Sequence, residues 1–316
     1  MGSQMNRFTF IKIMGIGGAV FATGLPGFSE ALGPAAGTKP SDFYFVQLTD
    51  THWGFEGPKA NPDATGTLGK AIDAVNALDP QPDLVIFTGD LTHITDDPIL
   101  RRKRMAEFKQ QAGRLRAKQV RYLPGEHDAS GDHGEAFHEV FGASHYAFAH
   151  KGIHFLVLDN VSQEGSILGE EQLKWFAGEL SRTPKLEPLV IFTHRPLFDL
   201  YPDWDWTTTD GQKAIDLLKD HRFVTVFYGH IHQEHHHRTG HIQHHSATSL
   251  IFPLPAPGST PKRAPIPWDP AHPYQGLGFR QVHTQPAQLK VTEGQGLLVL
   301  SEKPLAEAMK AAEKPA

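Results

Sequence analysis

The chain has 316 residues, 39% of them hydrophobic, which suits one α/β domain with trimmed ends and excludes a disordered or fibrous chain. A net charge of −5 with histidines neutral argues against a nucleic-acid polymer as partner, because phosphate backbones are bound by a basic excess. The absence of cysteine excludes disulfides, zinc–thiolate sites, iron–sulfur clusters and thiol nucleophiles together, so any metal must be held by nitrogen and oxygen.

Residues 1–40 read as an export signal and linker: Arg7 and Lys12, an apolar stretch over 13–25, then small and Pro-rich residues to Pro40. The apolar stretch is shorter than the ~20 residues that span a bilayer and is rich in glycine, so cleavage is expected, with no stable membrane anchor afterwards. Residues 7–12 resemble the bacterial twin-arginine signal, with Phe8 where the second arginine would stand; this and the ordinary secretory route both lead to the periplasm. Apolar runs at 43–48, 83–87, 119–123, 155–158, 189–192 and 223–228 read as strands, with helix-like stretches at 67–78, 100–117, 169–181 and 210–219 between them, the last with Asp210 as N-cap. Alternation of this kind predicts an α/β sheet. Short strands without helices at 242–250, 278–284, 288–292 and 296–300 suggest an antiparallel second sheet, and 253–275, with eight prolines, an irregular loop. The main domain is expected over 41–300, with 301–316 as a charged tail.

Five of the six strand ends carry a polar motif, in the order Asp50-Thr-His52, Gly89-Asp90, Gly125-Glu126-His127-Asp128, His194 and Gly229-His230-Ile-His232. Asp50 and His52 are two apart at the end of an extended run, which would point both side chains to one side, and His230 and His232 repeat that spacing. Asp90 has two oxygens and can bridge two cations. Imidazole with carboxylate suits iron, manganese or zinc better than calcium or magnesium. A lone Asp-x-His or His-x-His is weak in a chain with 20 histidines, but the ordered set, each member just after a strand, is a strong signal because ligands converge where parallel strands end.

On these motifs the chain resembles the calcineurin-like metallophosphoesterase superfamily over residues 48–232, in particular its cyclic-nucleotide phosphodiesterase-like branch, through Gly89-Asp90-Leu91-Thr92 and the Gly-His-x-His ending. The resemblance implies a four-layer α/β/β/α sandwich with two mixed sheets and two metal ions. One ion would take Asp50, His52, Asp90 and His232, and the other Asp90, Glu126, His194 and His230. His127 would assist departure of the leaving group, with Asp128 orienting it. The family carries asparagine where this chain carries Glu126, which makes a third carboxylate ligand; tighter metal binding, or a Glu126 that swings out in favour of water, is expected from that change.

The function so implied is exported hydrolysis of a small-molecule phosphodiester by a water that both ions activate. Alternatives are a phosphomonoesterase of the same family or a non-catalytic periplasmic metal-binding protein. A sparse supply of Arg and Lys near the motifs favours a singly charged diester, with Arg195 beside a ligand. His93 reads as a solvated loop residue ahead of a contact to substrate, the His235–His237 run with His241, His244 and His245 as an exposed hairpin ahead of a site for a further ion, and Tyr201, Trp204 and Trp206 as loop aromatics that pack on their own scaffold or stack on a leaving group.

Overall fold

The computed structural model describes residues 43–284 and 298–313; the expected export signal and linker, and the strand expected at 288–292, lie outside them. Eleven strands among these residues form two sheets. The first sheet has the order β11-β10-β1-β2-β3, with β1 (Tyr44–Leu48), β2 (Leu84–Thr88), β3 (Gln119–Leu123), β10 (Gly278–Thr284) and β11 (Leu298–Pro304). Its first three strands run parallel, and β10 and β11 add antiparallel at the β1 edge. The second sheet has the order β4-β5-β6-β7-β9-β8, with β4 (Tyr146–His150), β5 (Ile153–Val157), β6 (Pro188–Phe192), β7 (Phe223–Tyr228), β8 (His235–Thr239) and β9 (Ile242–Ser246). Here β5, β6, β7 and β9 are parallel and the two edge strands antiparallel.

The C-terminal strands therefore build no separate antiparallel sheet, as their spacing had suggested. They extend both mixed sheets, because each sheet of three or four parallel strands still has an open edge to be paired. Residues 301–312, set aside above as tail, supply the end of β11 and helix α7 (Leu305–Ala312), whose Leu305 is fully buried.

Strands β1, β2 and β6 are buried at every position, which is why they read as continuous apolar runs; each is covered on both faces. Phe43, Phe45, Ile86, Phe155, Phe192 and Phe227 interdigitate between the sheets. Helix α1 (Ala64–Asn76) lays Leu68, Ala71, Ile72 and Val75, at the i, i+3, i+4, i+7 spacing of one helical face, on the outside of the first sheet. Helix α2 (Pro98–Ala112) joins it there; it starts where Asp97 accepts from the Ile99 and Leu100 amides and Pro98 fills the first turn. The short helices α3 (Glu126–Ala129) and α4 (Glu135–Phe141) follow β3. Helices α5 (Glu170–Arg182) and α6 (Gly211–Leu218) cover the second sheet. Asp210 stands at the cap position of α6, but its carboxylate accepts from the Leu168 and Gly169 amides and so pins the start of α5 instead. The layers are α/β/β/α. The parallel strands of both sheets end at the same rim.

Candidate metal centre

At that rim the loops continue the sheet's own ladder. The amides of Asp50 and His52 donate to the carbonyls of Gly89 and Asp90, and the Gly229 amide donates to His194 O. Asp50, His52, Asp90, His230 and His232 all adopt positive φ, between 42° and 67°. Left-handed backbone at a residue other than glycine costs of order 1–3 kcal/mol and persists only where the surroundings hold it. The i, i+2 pairs thus share a direction because each residue turns left-handed, not because an extended strand alternates. Glycine is required where the loops meet: a Cβ on Gly89, at φ +93°, would fall 2.2 Å from His194 Nδ1, and one on Gly125 2.1 Å from Asp90 Oδ1.

Two sets of four donors form among the described residues, each with its atoms within 4.8 Å of one another: Asp50, His52, Asp90 and His232, and Asp90, Glu126, His194 and His230; His52, His93 and His127 make a third, smaller group. Asp90 belongs to both. Its Oδ2 lies 3.4 Å from His52 Nε2, and its Oδ1 lies 3.5 Å from His194 Nε2. In the first set His52 Nε2 and His232 Nε2 face each other at 3.3 Å, and His232 Nε2 is 3.4 Å from Asp50 Oδ1. In the second, Glu126 reaches His194 Nε2 at 2.9 Å and His230 Nδ1 at 3.0 Å. Glu126 does not swing out.

The donor chemistry fits cations. His194 Nδ1, His230 Nε2 and His232 Nδ1 lie 2.8, 3.0 and 2.7 Å from the carbonyl oxygens of Thr88, Asp205 and Phe252. A carbonyl can only accept, so each of these nitrogens carries the proton and the opposite one presents a lone pair to the site. His194 Nε2, His230 Nδ1 and Glu126 Oε2 are buried with no hydrogen-bond partner, a costly arrangement that a positive ion among them resolves. Burial and Glu126 would raise the Asp90 carboxyl, but His127, His194 and His52 outweigh them and hold it below the usual carboxylate range. Burial would likewise raise Glu126, and His230, Arg195 and His194 hold it well below its ordinary value. Both are acceptors at neutral pH.

Around these sets the structure places residues that the motifs only partly announced. His127 Nδ1 accepts from the Ile94 amide at 3.1 Å, which leaves the proton on Nε2, 4.0 Å from Asp90 Oδ2. Asp128, expected to orient His127, does something else. Its carboxylate accepts from the amides of Leu91, Thr92 and Gly125 and from the Thr92 hydroxyl, and so ties the Asp90 loop to the Glu126 turn. Burial and the charge of Asp90 push Asp128 up to about 6; four donors keep it ionised at neutral pH. His93 is not a solvated loop residue: its ring stands 5.5 Å from that of His52 and 5.1 Å from that of His127. The strand end that carried no motif, after β5, supplies Asn160. Its side chain accepts from the His194 and Arg195 amides and donates to Arg195 O, fixing the loop that presents His194. Arg195 is buried, pairs with Asp205, and places Nη2 3.7 Å from Glu126 Oε2. A single Asn or Asp after an apolar run was the only sequence signal for Asn160, and for Arg195 only its adjacency to His194.

A four-layer sandwich that gathers seven nitrogen and oxygen donors into two adjoining sets at its strand ends is the framework of a metal-dependent phosphoric ester hydrolase. The chain belongs to the calcineurin-like phosphoesterase family, whose profile matches residues 43–234, and this family uses dinuclear metal centres. Among curated relatives, a probable cyclic nucleotide phosphodiesterase of Rhodopseudomonas palustris is 27% identical over 248 residues, covering 69% of this chain and 83% of that protein. A probable glycerophosphodiester phosphodiesterase of Arcobacter nitrofigilis is 28% identical, covering 60% and 71%. A serine/threonine-protein phosphatase of Mus musculus is 26% identical, covering 60% and 70%. A dimetal phosphatase of Danio rerio shares the fold at a TM-score of 0.58 and 12% identity, covering 83% of this chain and 96% of that one.

Proposed function

We propose that the chain is an exported hydrolase of small-molecule phosphodiesters that works with two ions of iron, manganese or zinc. Asp50, His52, Asp90 and His232 hold one ion and Asp90, Glu126, His194 and His230 the other. The observation that carries this reading is that Asp90 turns one oxygen to each set while the imidazole lone pairs converge on the same two points. When bound, the ions supply positive charge to the phosphoryl oxygens and lower the pKa of a water toward neutrality.

The chain's own residues do the rest. His127, with its proton on Nε2 beside Asp90, gives that proton to the departing oxygen. Asn160 and Asp128 keep the ligand loops in register. Two divalent ions against Asp50, Asp90 and Glu126 leave one positive charge, where an amide at 126 would leave two; Arg195, shared between Asp205 and Glu126 at 3.7 Å from the latter, offsets part of that difference. A non-catalytic metal store would need neither His127 with a fixed tautomer nor that compensation. The two relatives named for phosphodiesters support the diester reading, and the phosphatase among them makes a monoester the comparison substrate.

The test is hydrolysis of bis(p-nitrophenyl) phosphate against p-nitrophenyl phosphate by protein reconstituted with each metal in turn. The diester is expected to have the higher kcat/KM, with chelator and Asp90→Ala abolishing turnover and lowering metal content. Metal-loaded protein that cleaves neither ester refutes the assignment. Export is tested by fractionation of cells carrying the full chain or a chain lacking residues 1–40, the first periplasmic and the second retained.

A further inference from the structure

A groove opens beside His230, and its lining bears on what else the substrate carries. Its volume is about 380 Å³, and Tyr201, Trp204, Asp205, Lys262 and Arg263 line it together with Asp203. One wall is the loop after β6, where the Tyr201 amide donates to Trp206 O and the Trp204 amide to Tyr201 O; Trp206 is fully buried beneath, so Trp206 packs on the scaffold while Tyr201 and Trp204 face the groove. The other wall is the Pro-rich loop, anchored by the Ile266 amide on Pro253 O and the Trp268 amide on Lys59 O. Arg263 crosses between the walls. Its Nη1 donates to Trp204 O at 3.0 Å and lies 3.4 Å from His230 Nε2.

Charge in the groove is unbalanced toward positive. Asp205 is committed to Arg195, so Asp203 is the remaining carboxylate against the exposed Lys262 and Arg263, and neither cation has a carboxylate partner among the described residues. A guanidinium against a ligand imidazole also adds positive charge at a centre that is to hold two cations. Such an arrangement is stabilised by an anion that bridges the groove and the centre.

Resting on the phosphoester-hydrolase reading above, we infer that the physiological substrate carries a second anionic group, a carboxylate or a further phosphate, which Lys262 and Arg263 receive while the scissile phosphate sits at the ligand sets. The sequence pointed the other way, since no basic cluster lies near the motifs; Lys262 and Arg263 enter the groove from a loop some thirty residues beyond His232. Exposed ion pairs contribute up to about 1 kcal/mol each, so two of them correspond to about tenfold in kcat/KM, or about 1.4 kcal/mol.

The experiment uses the metal-loaded protein and three 4-nitrophenyl phosphodiesters whose second ester group is carboxymethyl, ethyl or choline. Wild type is expected to prefer the carboxymethyl ester to the ethyl ester by about tenfold, with the choline ester last, and the preference should shrink as salt is added. Lys262→Glu, and separately the Lys262→Ala/Arg263→Ala pair, should bring the carboxymethyl-to-ethyl ratio to within about twofold whatever the absolute rates become. Three esters cleaved at similar efficiency, or a ratio that survives in the double variant, overturns the inference and leaves the hydrolase standing. If no ester is turned over, the hydrolase reading falls, and calorimetric titration with carboxymethyl phosphate against ethyl phosphate decides the groove alone: tighter binding of the first, lost in the double variant, supports it, and equal binding overturns it.

Discussion

At position 126 a carboxylate stands where an amide would be neutral, and 3.7 Å away a buried guanidinium answers it. The two act as a unit, and their coupling gives the sharpest residue-scale prediction. Glu126→Asn leaves Asp205 as the one carboxylate paired with Arg195 and removes a donor from the second set, so affinity for the second ion should fall by at least roughly 10–100-fold, the range found when a group that only supports a metal ligand is lost. Glu126→Asn with Arg195→Ala should bind better than Glu126→Asn alone, because the repulsion goes with the arginine. Metal content after dialysis, by mass spectrometry, measures both; equal losses in the two variants would break the coupling argument. His127→Ala should cost about 10²–10⁴-fold in kcat, and more for an alkyl ester than for a nitrophenyl ester, because only the poor leaving group needs the proton. At this scale the gathering of the seven donors was legible in the sequence, since each follows an apolar run. Asn160 was not, because a lone polar residue in a loop carries no mark of the neighbour it meets 34 positions away.

Among the elements, the hairpin of β8 and β9 shows how local pattern and burial part company. Its histidine content read as an exposed hairpin, and the hairpin is there, but β9 lies between β8 and β7 with both faces covered, so that His244 is buried against Phe198 on one face and His245 against Phe227 on the other. Burial lowers both imidazoles to about 3, and neither ring nitrogen of His244 has a hydrogen-bond partner. A histidine held neutral in the fold but free to protonate when unfolded gives its full stability above its ordinary pKa near 6.5, and loses it as pH falls from there toward about 3. At pH 5 each should cost about 2 kcal/mol. Urea midpoints at pH 7.5, 6 and 5 should therefore decline, and His244→Phe, which keeps the volume beside Phe198, should flatten the decline. A midpoint unchanged from pH 7.5 to 5 would contradict the burial argument.

For the molecule as a whole, the two sheets meet through aromatic and aliphatic side chains except where polar residues cross the interface. Arg280 of β10 is fully buried, pairs with Glu302 of β11, and donates to Ser246 O of β9 in the opposite sheet; Gln47 of β1 donates to Tyr228 O of β7. Removing one partner of a buried pair strands the other, so Arg280→Leu should destabilise the protein by about 3–5 kcal/mol. Arg280→Leu with Glu302→Leu should recover much of that, as measured by chemical denaturation. A double variant no more stable than the single one would mean that the bond to Ser246, and not the ion pair, carries the effect.

By itself the sequence determined the donor chemistry, the strand–helix alternation and the order in which strand ends present ligands, because apolar runs and the residues just after them are local properties. Only the tertiary structure decided which strands share a sheet, since β10 and β11 are as apolar as any edge strand and their partner is chosen by the open edge that remains. It also decided that the aspartate and histidine pairs turn left-handed, that Asp128 braces loops, and that Lys262 and Arg263 line the groove beside His230. These depend on chain segments far apart in sequence meeting at one rim, and a meeting of that kind leaves no local pattern in either segment.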